Sequence, residues 1–199
     1  MIYGANGYTG RLLADLAVRR GFRPILAGRS VEKIRPLARE RGMDHRAFSL
    51  DRPELEGVAA VVHMAGPFSA TSRPMVDACL AARVHYLDIT GEIEVFEAVL
   101  SRDAEARAAG IVLLPGVGFD VVPTDCLAAM LHRRLPDATH LELAFDARGK
   151  ASAGTAKTAV EGLANGGRAR IDGATPDSER GGRASCRHRI SSDFTTVAP

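Results

Sequence analysis

The chain has 199 residues, of which 46% are hydrophobic, and a formal net charge of +2. This length suits one domain, or one domain with a fragment of another, and a chain of this size folds without needing a disulfide or a metal. The near-neutral charge argues against a dedicated nucleic-acid or membrane-surface role.

Cysteine usage and hydropathy indicate the compartment. The three cysteines, Cys79, Cys126 and Cys186, are widely separated and form no C-x-x-C motif, which fits a reducing environment. No segment approaches the about 18 consecutive apolar residues of a membrane helix. We therefore expect a cytoplasmic protein without a transmembrane segment.

Short apolar runs alternate with helical segments over the first 125 residues. The predicted strands are residues 1–3, 25–27, 47–50, 59–64, 85–89 and 111–114. The predicted helices are residues 11–20, 31–41, 74–82, 93–109 and 124–133. The apolar runs do not alternate with polar residues, as expected for strands covered on both faces. The pattern predicts an α/β fold with a doubly wound parallel sheet.

Glycines and prolines punctuate the predicted helices. Three helices are expected to end at Gly21, Gly42 and Gly110. Ser30 is expected to cap the second helix, and Pro36 to disturb it. Pro74 is expected in the first turn of the third helix, and Thr124 is expected to cap the helix that follows the sixth strand.

The opening stretch MIYGANGYTG places Gly4, Gly7 and Gly10 between the first strand and the first helix. Such a turn aims the backbone N–H groups of a helix N-terminus at an anion. Gly7 would let the backbone approach a pyrophosphate, and Gly10 would let the helix pack against the strand. Because Ala5 stands where the G-x-G-x-x-G fingerprint has its first glycine, a plain glycine-rich turn is the alternative.

The second and third strands suggest which dinucleotide is bound. An NAD-binding turn is usually followed, about 20 residues on, by an acidic residue that bonds the ribose. Here the run ILAGRS ends in Arg29 and Ser30, and an arginine suits a 2′-phosphate. A solvated surface arginine is the alternative. Asp51, after the third strand, could accept a hydrogen bond from the adenine amino group or simply begin a turn.

Three later loops should lie at the same edge of the sheet, where ligands bind in such folds. The fourth strand runs into MAGPFS, which contains Gly66, Pro67 and Phe68. The loop YLDITGE contains Asp88 and Glu92, and LLPGVGFDVVPTD contains Asp120. The aspartates could instead cap turns, and Glu92 could belong to the first turn of its helix.

Other catalytic arrangements have no counterpart in the sequence. None of the three tyrosines, Tyr3, Tyr8 and Tyr86, is followed four residues later by the lysine that short-chain reductases use. The six histidines are scattered and predict no metal site, and no G-x-S-x-G nucleophile elbow occurs.

The segments YGANGYTG, LAGRS, HMAGPFS, PMVDACLAARVHYLDITGE and LLPGVGFDVVPTDCLA together resemble the NADP-binding half of the saccharopine-dehydrogenase-like oxidoreductases, and most of all their trans-acting enoyl reductase branch. The resemblance covers residues 1–171. It implies a Rossmann domain, an α+β substrate domain and reduction by NADPH. It supports the following cofactor residues: Gly4, Asn6, Gly7, Tyr8, Thr9, Gly10 and Arg29. It also places Gly66, Pro67, Phe68 and the Asp120 loop beside the nicotinamide.

The expected organisation is a Rossmann domain over residues 1–135, a partial α+β substrate domain over 136–173 and an irregular tail over 174–199, where the chain departs from the family pattern. The expected function is hydride transfer between NADP and an enoyl or carbonyl substrate, with little or no turnover expected of this chain alone. Glu92 and Asp120 are the candidates for the accompanying proton transfer. The expected partner is a small-molecule substrate, with acyl or lipid-like compounds and a homodimer left open. A non-catalytic NADP sensor and, less favoured, an isomerase that uses bound NADP are the alternatives.

Overall fold

A computed structural model describes residues 1–119 and 121–141, and the chain divides into two compact units, Met1–Val122 and Pro123–Pro199. The first unit contains one sheet of six strands. They are β1 (Ile2–Tyr3), β2 (Leu26–Gly28), β3 (His45–Ala47), β4 (Ala60–His63), β5 (His85–Asp88) and β6 (Leu113–Leu114). Every adjacent pair is parallel, in the order β3-β2-β1-β4-β5-β6. This is the Rossmann strand order, so the predicted α/β class is confirmed.

Five helices connect the strands of the first unit. They are α1 (Tyr8–Arg19), α2 (Val31–Glu40), α3 (Phe68–Ala82), α4 (Ile93–Leu100) and α5 (Asp103–Ala109). A sixth helix, α6 (Val122–Arg134), begins at the boundary between the two units. Gly21, Gly42 and Gly110 have φ values of 78°, 61° and 70°, the left-handed conformation expected of glycines that end helices.

Two buried clusters lie on the two faces of the sheet. Ile2 packs with residues of α1 and α2, including Ala14 and Ile34. Tyr3, the next residue along β1, packs with residues of α3 and α4, including Met75. Because neighbouring side chains of a strand point to opposite faces, β1 is covered on both sides. Its two residues are therefore both apolar, as expected for a central parallel strand.

The largest differences from the predicted helices concern the third and the fourth. The third helix begins at Phe68, six residues before the predicted start, so Pro74 lies in its interior rather than in its first turn. The segment predicted as one helix over 93–109 is two helices, α4 and α5. The hydroxyl of Ser101 donates to the carbonyl of Ala98 at 2.9 Å, a local bond that competes with helix continuation.

The third strand is also displaced from its prediction. The apolar residues Phe48 and Leu50 suggested a strand over 47–50, but β3 spans His45–Ala47. It is an edge strand with polar residues, so apolar periodicity does not mark it.

Two further helix predictions concern α2 and α6. Pro36 has no backbone N–H to donate to the helix, yet α2 continues through it. Helix α6 begins at Val122, two residues before the predicted cap at Thr124.

The remaining predictions fall largely outside the described residues. They are the irregular tail over 174–199 and most of the partial domain over 136–173. The predicted boundary between residues 135 and 136 stays a prediction. Within residues 1–119 and 121–141, no helix combines the length and the apolar character that crossing a bilayer requires.

Candidate functional site

The turn between β1 and α1 is packed against two neighbouring strands. The N–H groups of Gly4 and Ala5 donate to the carbonyl oxygen of Ala27 in β2, at 2.8 and 3.1 Å. Gly4 has a φ of 83°, and a Cβ there would lie 2.9 Å from the backbone nitrogen of Ala65, which follows β4. Glycine is therefore required here by conformation and by space. The turn lies where the strand order reverses between β1 and β4, the position at which Rossmann folds bind ligands.

The next two glycines of the turn differ in their surroundings. A Cβ on Gly10 would lie 2.4 Å from the carbonyl oxygen of Gly4 and 2.8 Å from the Cα of Ala5. Gly10 is thus the close contact between α1 and the end of β1. Gly7 is exposed, with an ordinary φ of −72°, and its Cβ would meet only the Gly4 carbonyl, at 3.2 Å. The φ of Gly7 does not demand glycine, but a Cβ there would require the Gly4 carbonyl to shift by a few tenths of an ångström.

The N-terminus of α1 is open to an anion. Gly7 occupies the cap position and supplies no side-chain cap, and the first turn contains no acidic residue. Tyr8 is 71% exposed. The backbone N–H groups of a first helical turn have no intrahelical acceptor, and the helix dipole favours negative charge there. This geometry fits a pyrophosphate.

The residues predicted to contact the adenosine half lie at the ends of β2 and β3. Arg29 is exposed directly after β2, and Asn6 of the glycine turn lies beside β2, its Oδ1 3.1 Å from where a Cβ of Gly28 would be. Burial raises the pKa of Tyr3, while the charge of Arg29 opposes the rise and that of Asp51 adds to it. Arg29 follows β2 and Asp51 comes after β3, and because these two strands are neighbours and parallel, both residues lie beyond the carboxyl edge of the sheet.

Ser30 is at the N-cap position of α2, as predicted, but its side chain does not cap the helix. Its hydroxyl donates to the carboxylate of Glu32 at 2.8 Å. Asp51 accepts a hydrogen bond from the hydroxyl of Ser49 at 3.3 Å and is exposed. Ser30 is half-buried and next to Arg29 in the chain, Asp51 is exposed, and each has a local hydrogen-bond partner.

The loop after β4 is held by Thr71, one turn into α3. The Thr71 hydroxyl lies 2.7 Å from the carbonyl oxygen of Ala65 and 3.0 Å from that of Pro67. Gly66, between these two residues, is exposed, whereas Phe68 is buried. The loop thus presents Gly66 at the surface while its two flanks are anchored.

His63 supports this anchor from the core. Its Nε2 is 3.0 Å from the Thr71 oxygen, and because the Thr71 proton goes to a backbone carbonyl, the imidazole donates. The other ring nitrogen, Nδ1, is buried without a hydrogen-bond partner. Burial lowers the pKa of His63 to about 4, so the ring is neutral at pH 7.

Asp88, at the end of β5, forms hydrogen bonds to the loops that follow β5 and β6. Its Oδ1 accepts from the N–H groups of Thr90 and Gly116, both at 2.9 Å. Its Oδ2 accepts from the hydroxyl of Tyr86 at 2.6 Å. Burial, and then the charge of Asp88, raise the pKa of Tyr86, so the phenol stays protonated and donates. Asp88 is fully buried, and its contacts are those of a residue that organises turns.

Glu92 reaches from the β5 loop to the start of α3. Its two carboxylate oxygens accept from the N–H groups of Phe68 at 3.1 Å and Ser69 at 2.8 Å. Its own N–H donates to the hydroxyl oxygen of Thr90 at 3.1 Å. The structure therefore joins Glu92 to the predicted Gly66–Phe68 loop. Asp120 lies outside the described residues.

Sequence reasoning missed the residues that hold these loops: His63, Thr71 and Thr90. The spacing of Asp88 and Thr90 carried one usable signal, because an aspartate commonly bonds the backbone N–H two residues later. The His63–Thr71 contact has no local signal, since it depends on how α3 packs against β4. No group of histidines, cysteines and acids suited to a metal occurs within residues 1–119 and 121–141.

Several known proteins are similar to this chain. The family model described as the saccharopine dehydrogenase NADP binding domain matches residues 1–114. A trans-acting enoyl reductase of Mycobacterium tuberculosis is 31% identical over 147 residues, which cover 67% of this chain and 35% of that protein. The trans-acting enoyl reductase of Mycobacterium leprae is 32% identical over 148 residues, covering 68% and 35%. The chain thus spans about a third of the length of the curated relatives it matches.

A solved structure supports the fold. Apo saccharopine dehydrogenase (L-Glu forming) from Saccharomyces cerevisiae superposes with a TM-score of 0.54 at 15% identity, covering 65% of this chain and 29% of that one. The family match confirms NADP as the predicted cofactor. By the match over residues 1–114, this chain belongs to the saccharopine dehydrogenase NADP-binding domain family.

Proposed function

We propose that this chain is the NADP-binding part of an oxidoreductase that passes hydride between nicotinamide C4 and an enoyl or carbonyl substrate. The observation that carries the proposal is the N-terminus of α1, which has no side-chain cap. It follows the turn at Gly4, where the strand order reverses. The names of the mycobacterial relatives support an enoyl compound as the substrate class.

In this proposal the turn after β1 holds the pyrophosphate. Its backbone N–H groups, at Tyr8, Thr9 and Gly10, bind the phosphate oxygens, and Gly7 leaves room for them. Arg29 binds the 2′-phosphate through charge-assisted hydrogen bonds.

The remaining adenosine contacts lie beside Arg29. Ser30 adds a hydroxyl near the 2′-phosphate, and Asp51 accepts from the adenine amino group. Asn6, next to the end of β2, lies between the pyrophosphate and the adenosine.

The nicotinamide half is assigned to the loop of Gly66, Pro67 and Phe68. The cofactor supplies the hydride, while the protein orients it and provides a group for the accompanying proton. Glu92 follows β5, and Asp120 comes after β6 in the sequence. Since both Glu92 oxygens already accept backbone N–H groups, Asp120 is the first candidate to test.

A steady-state assay tests the proposed activity. We expect the purified chain to oxidise little NADPH by itself with a panel of enoyl thioesters and ketones, and Asp120→Asn to lower the kcat that it does show. Asp103→Asn, the same change at an exposed carboxylate of α5, is the matched control. A chain that binds NADPH but oxidises none with any of these compounds would favour the alternative of a non-catalytic dinucleotide sensor.

A further inference from the structure

The loops after β4, β5 and β6 are joined by one continuous set of hydrogen bonds. It runs from Gly116 to Asp88, from Asp88 to Thr90, from Thr90 to Glu92, and from Glu92 to the first residues of α3. Every distance along it lies between 2.8 and 3.1 Å. The three loops follow neighbouring strands and therefore share the carboxyl edge of the sheet.

Glu92 makes the decisive contact of this set. It bonds two consecutive N–H groups, those of Phe68 and Ser69, one with each oxygen. These belong to the first turn of α3, whose cap residue Pro67 supplies no side-chain bond. A carboxylate at this position satisfies two otherwise unpaired donors and complements the helix dipole. The cap of α3 thus comes from a residue 24 positions away.

The far end of the set is rigid. Asp88 is fully buried and accepts three hydrogen bonds, and its carbonyl oxygen accepts a fourth, from the N–H of Val117 at 2.7 Å. Gly116 has a φ of 73°, and a Cβ there would lie 2.2 Å from the ring of Phe96. The backbone on which Glu92 depends is therefore fixed by packing as well as by hydrogen bonds.

We propose that Glu92 is a positioning residue rather than the proton-transfer group. It acts by accepting hydrogen bonds from the N–H groups of Phe68 and Ser69. Asp88 and Thr90 hold the loop that carries it. By capping α3 it fixes the Gly66–Phe68 loop in the shape that receives the nicotinamide ring. The inference rests on the proposed function, because it takes this loop as the nicotinamide side of the site.

The test separates the two halves of the cofactor. The full chain is titrated with NADPH and with 2′,5′-ADP, which contains the adenosine and the 2′-phosphate but no nicotinamide. Glu92→Ala should weaken NADPH about tenfold and leave 2′,5′-ADP within about twofold, since a loop that is competent only part of the time lowers affinity by that fraction. Glu92→Gln keeps one acceptor oxygen, so its loss should be intermediate.

A second measurement, the fluorescence of bound NADPH, reports on the nicotinamide ring directly. Bound NADPH should show weaker nicotinamide fluorescence enhancement in Glu92→Ala, with partial recovery in Glu92→Gln. Glu56→Gln, at an exposed position in the segment that enters β4 at the opposite edge, should change neither probe. Thr90→Val, which removes the acceptor for the Glu92 N–H, should repeat the selective loss.

The outcomes distinguish the inference from the proposed function. Equal losses for NADPH and 2′,5′-ADP would show that Glu92 serves general stability, and no loss for either would show that the loop does not need it. Each would overturn the inference alone. A wild-type chain that binds neither probe would contradict the proposed function, and the inference with it.

Discussion

A Cβ atom on Gly10 would lie 2.4 Å from the carbonyl oxygen of Gly4, whereas one on Gly7 would lie 3.2 Å from the same atom. Substitution should therefore affect fold stability at Gly10 and cofactor binding at Gly7. Gly10→Ala forces backbone apart and should destabilise the fold by about 1–3 kcal/mol, as overpacking usually does. Gly7→Val should leave the fold intact but abolish NADPH binding. Thermal melts and fluorescence titration of both variants check this. A Gly7→Val chain that binds NADPH normally would reduce Gly7 to a turn residue.

Arg29 should decide between the two nicotinamide cofactors. Arg29→Ala removes a charge-assisted hydrogen bond worth about 1.5–3 kcal/mol, so NADPH should bind about 10 to 100 times more weakly. NADH, which has no 2′-phosphate, should be affected little. Arg20→Ala, at an exposed arginine beyond the far end of α1, is the matched control. Calorimetric titration of both cofactors measures the difference, and equal losses would refute the assignment.

His63 should make the fold sensitive to acid. Its pKa is about 4 in the folded chain because the ring is buried, against an ordinary value of 6.5. Between those values the unfolded chain binds the proton and the folded chain does not, so stability falls as the pH falls. From pH 7 to about 4.5 the loss from this residue should be about 2 kcal/mol.

The matched variant is His63→Gln, which keeps an N–H donor for Thr71 and does not titrate in this range. Urea unfolding at several pH values isolates the His63 contribution, because all other titrating groups are common to both chains. Parallel pH profiles for the wild type and the variant would show that burial of His63 carries no acid sensitivity.

Asp88 should be the costliest carboxylate to neutralise in the described part of the first unit. Asp88→Asn replaces one acceptor oxygen with an NH₂ group that faces a donor, either the Tyr86 hydroxyl or a backbone N–H. Leaving a buried donor unpaired costs about 1–3 kcal/mol, and more next to a lost charge. Asp103→Asn, at an exposed position, should cost much less. Denaturant unfolding of both variants gives the comparison, and equal costs would contradict it.

Much of the fold could be predicted because its signals are local. A few adjacent residues are enough to indicate the glycine turn, the apolar central strands and the glycines that end helices. The polar edge strand β3 could not be located, since apolar Phe48 follows it rather than belonging to it. The start of α3 was missed because its cap is Glu92, far along the chain.

The candidate site divides in the same way. The residues of the glycine turn and Arg29 could be named because their motif has a fixed spacing. Their placement at one edge of the sheet follows from the strand order. The contacts of Asp88 with Gly116 and of Glu92 with Phe68 and Ser69 join separate loops, so no short window of sequence contains both partners. Their roles could be argued only once the structure had brought those loops together.

The most direct test of the central claim is a calorimetric titration of the purified wild-type chain with NADPH and with NADH. A site in which the α1 N-terminus binds the pyrophosphate and Arg29 binds the 2′-phosphate predicts saturable binding of both, with NADPH about 10 to 100 times tighter. No saturable binding of either cofactor, or tighter binding of NADH, would contradict it.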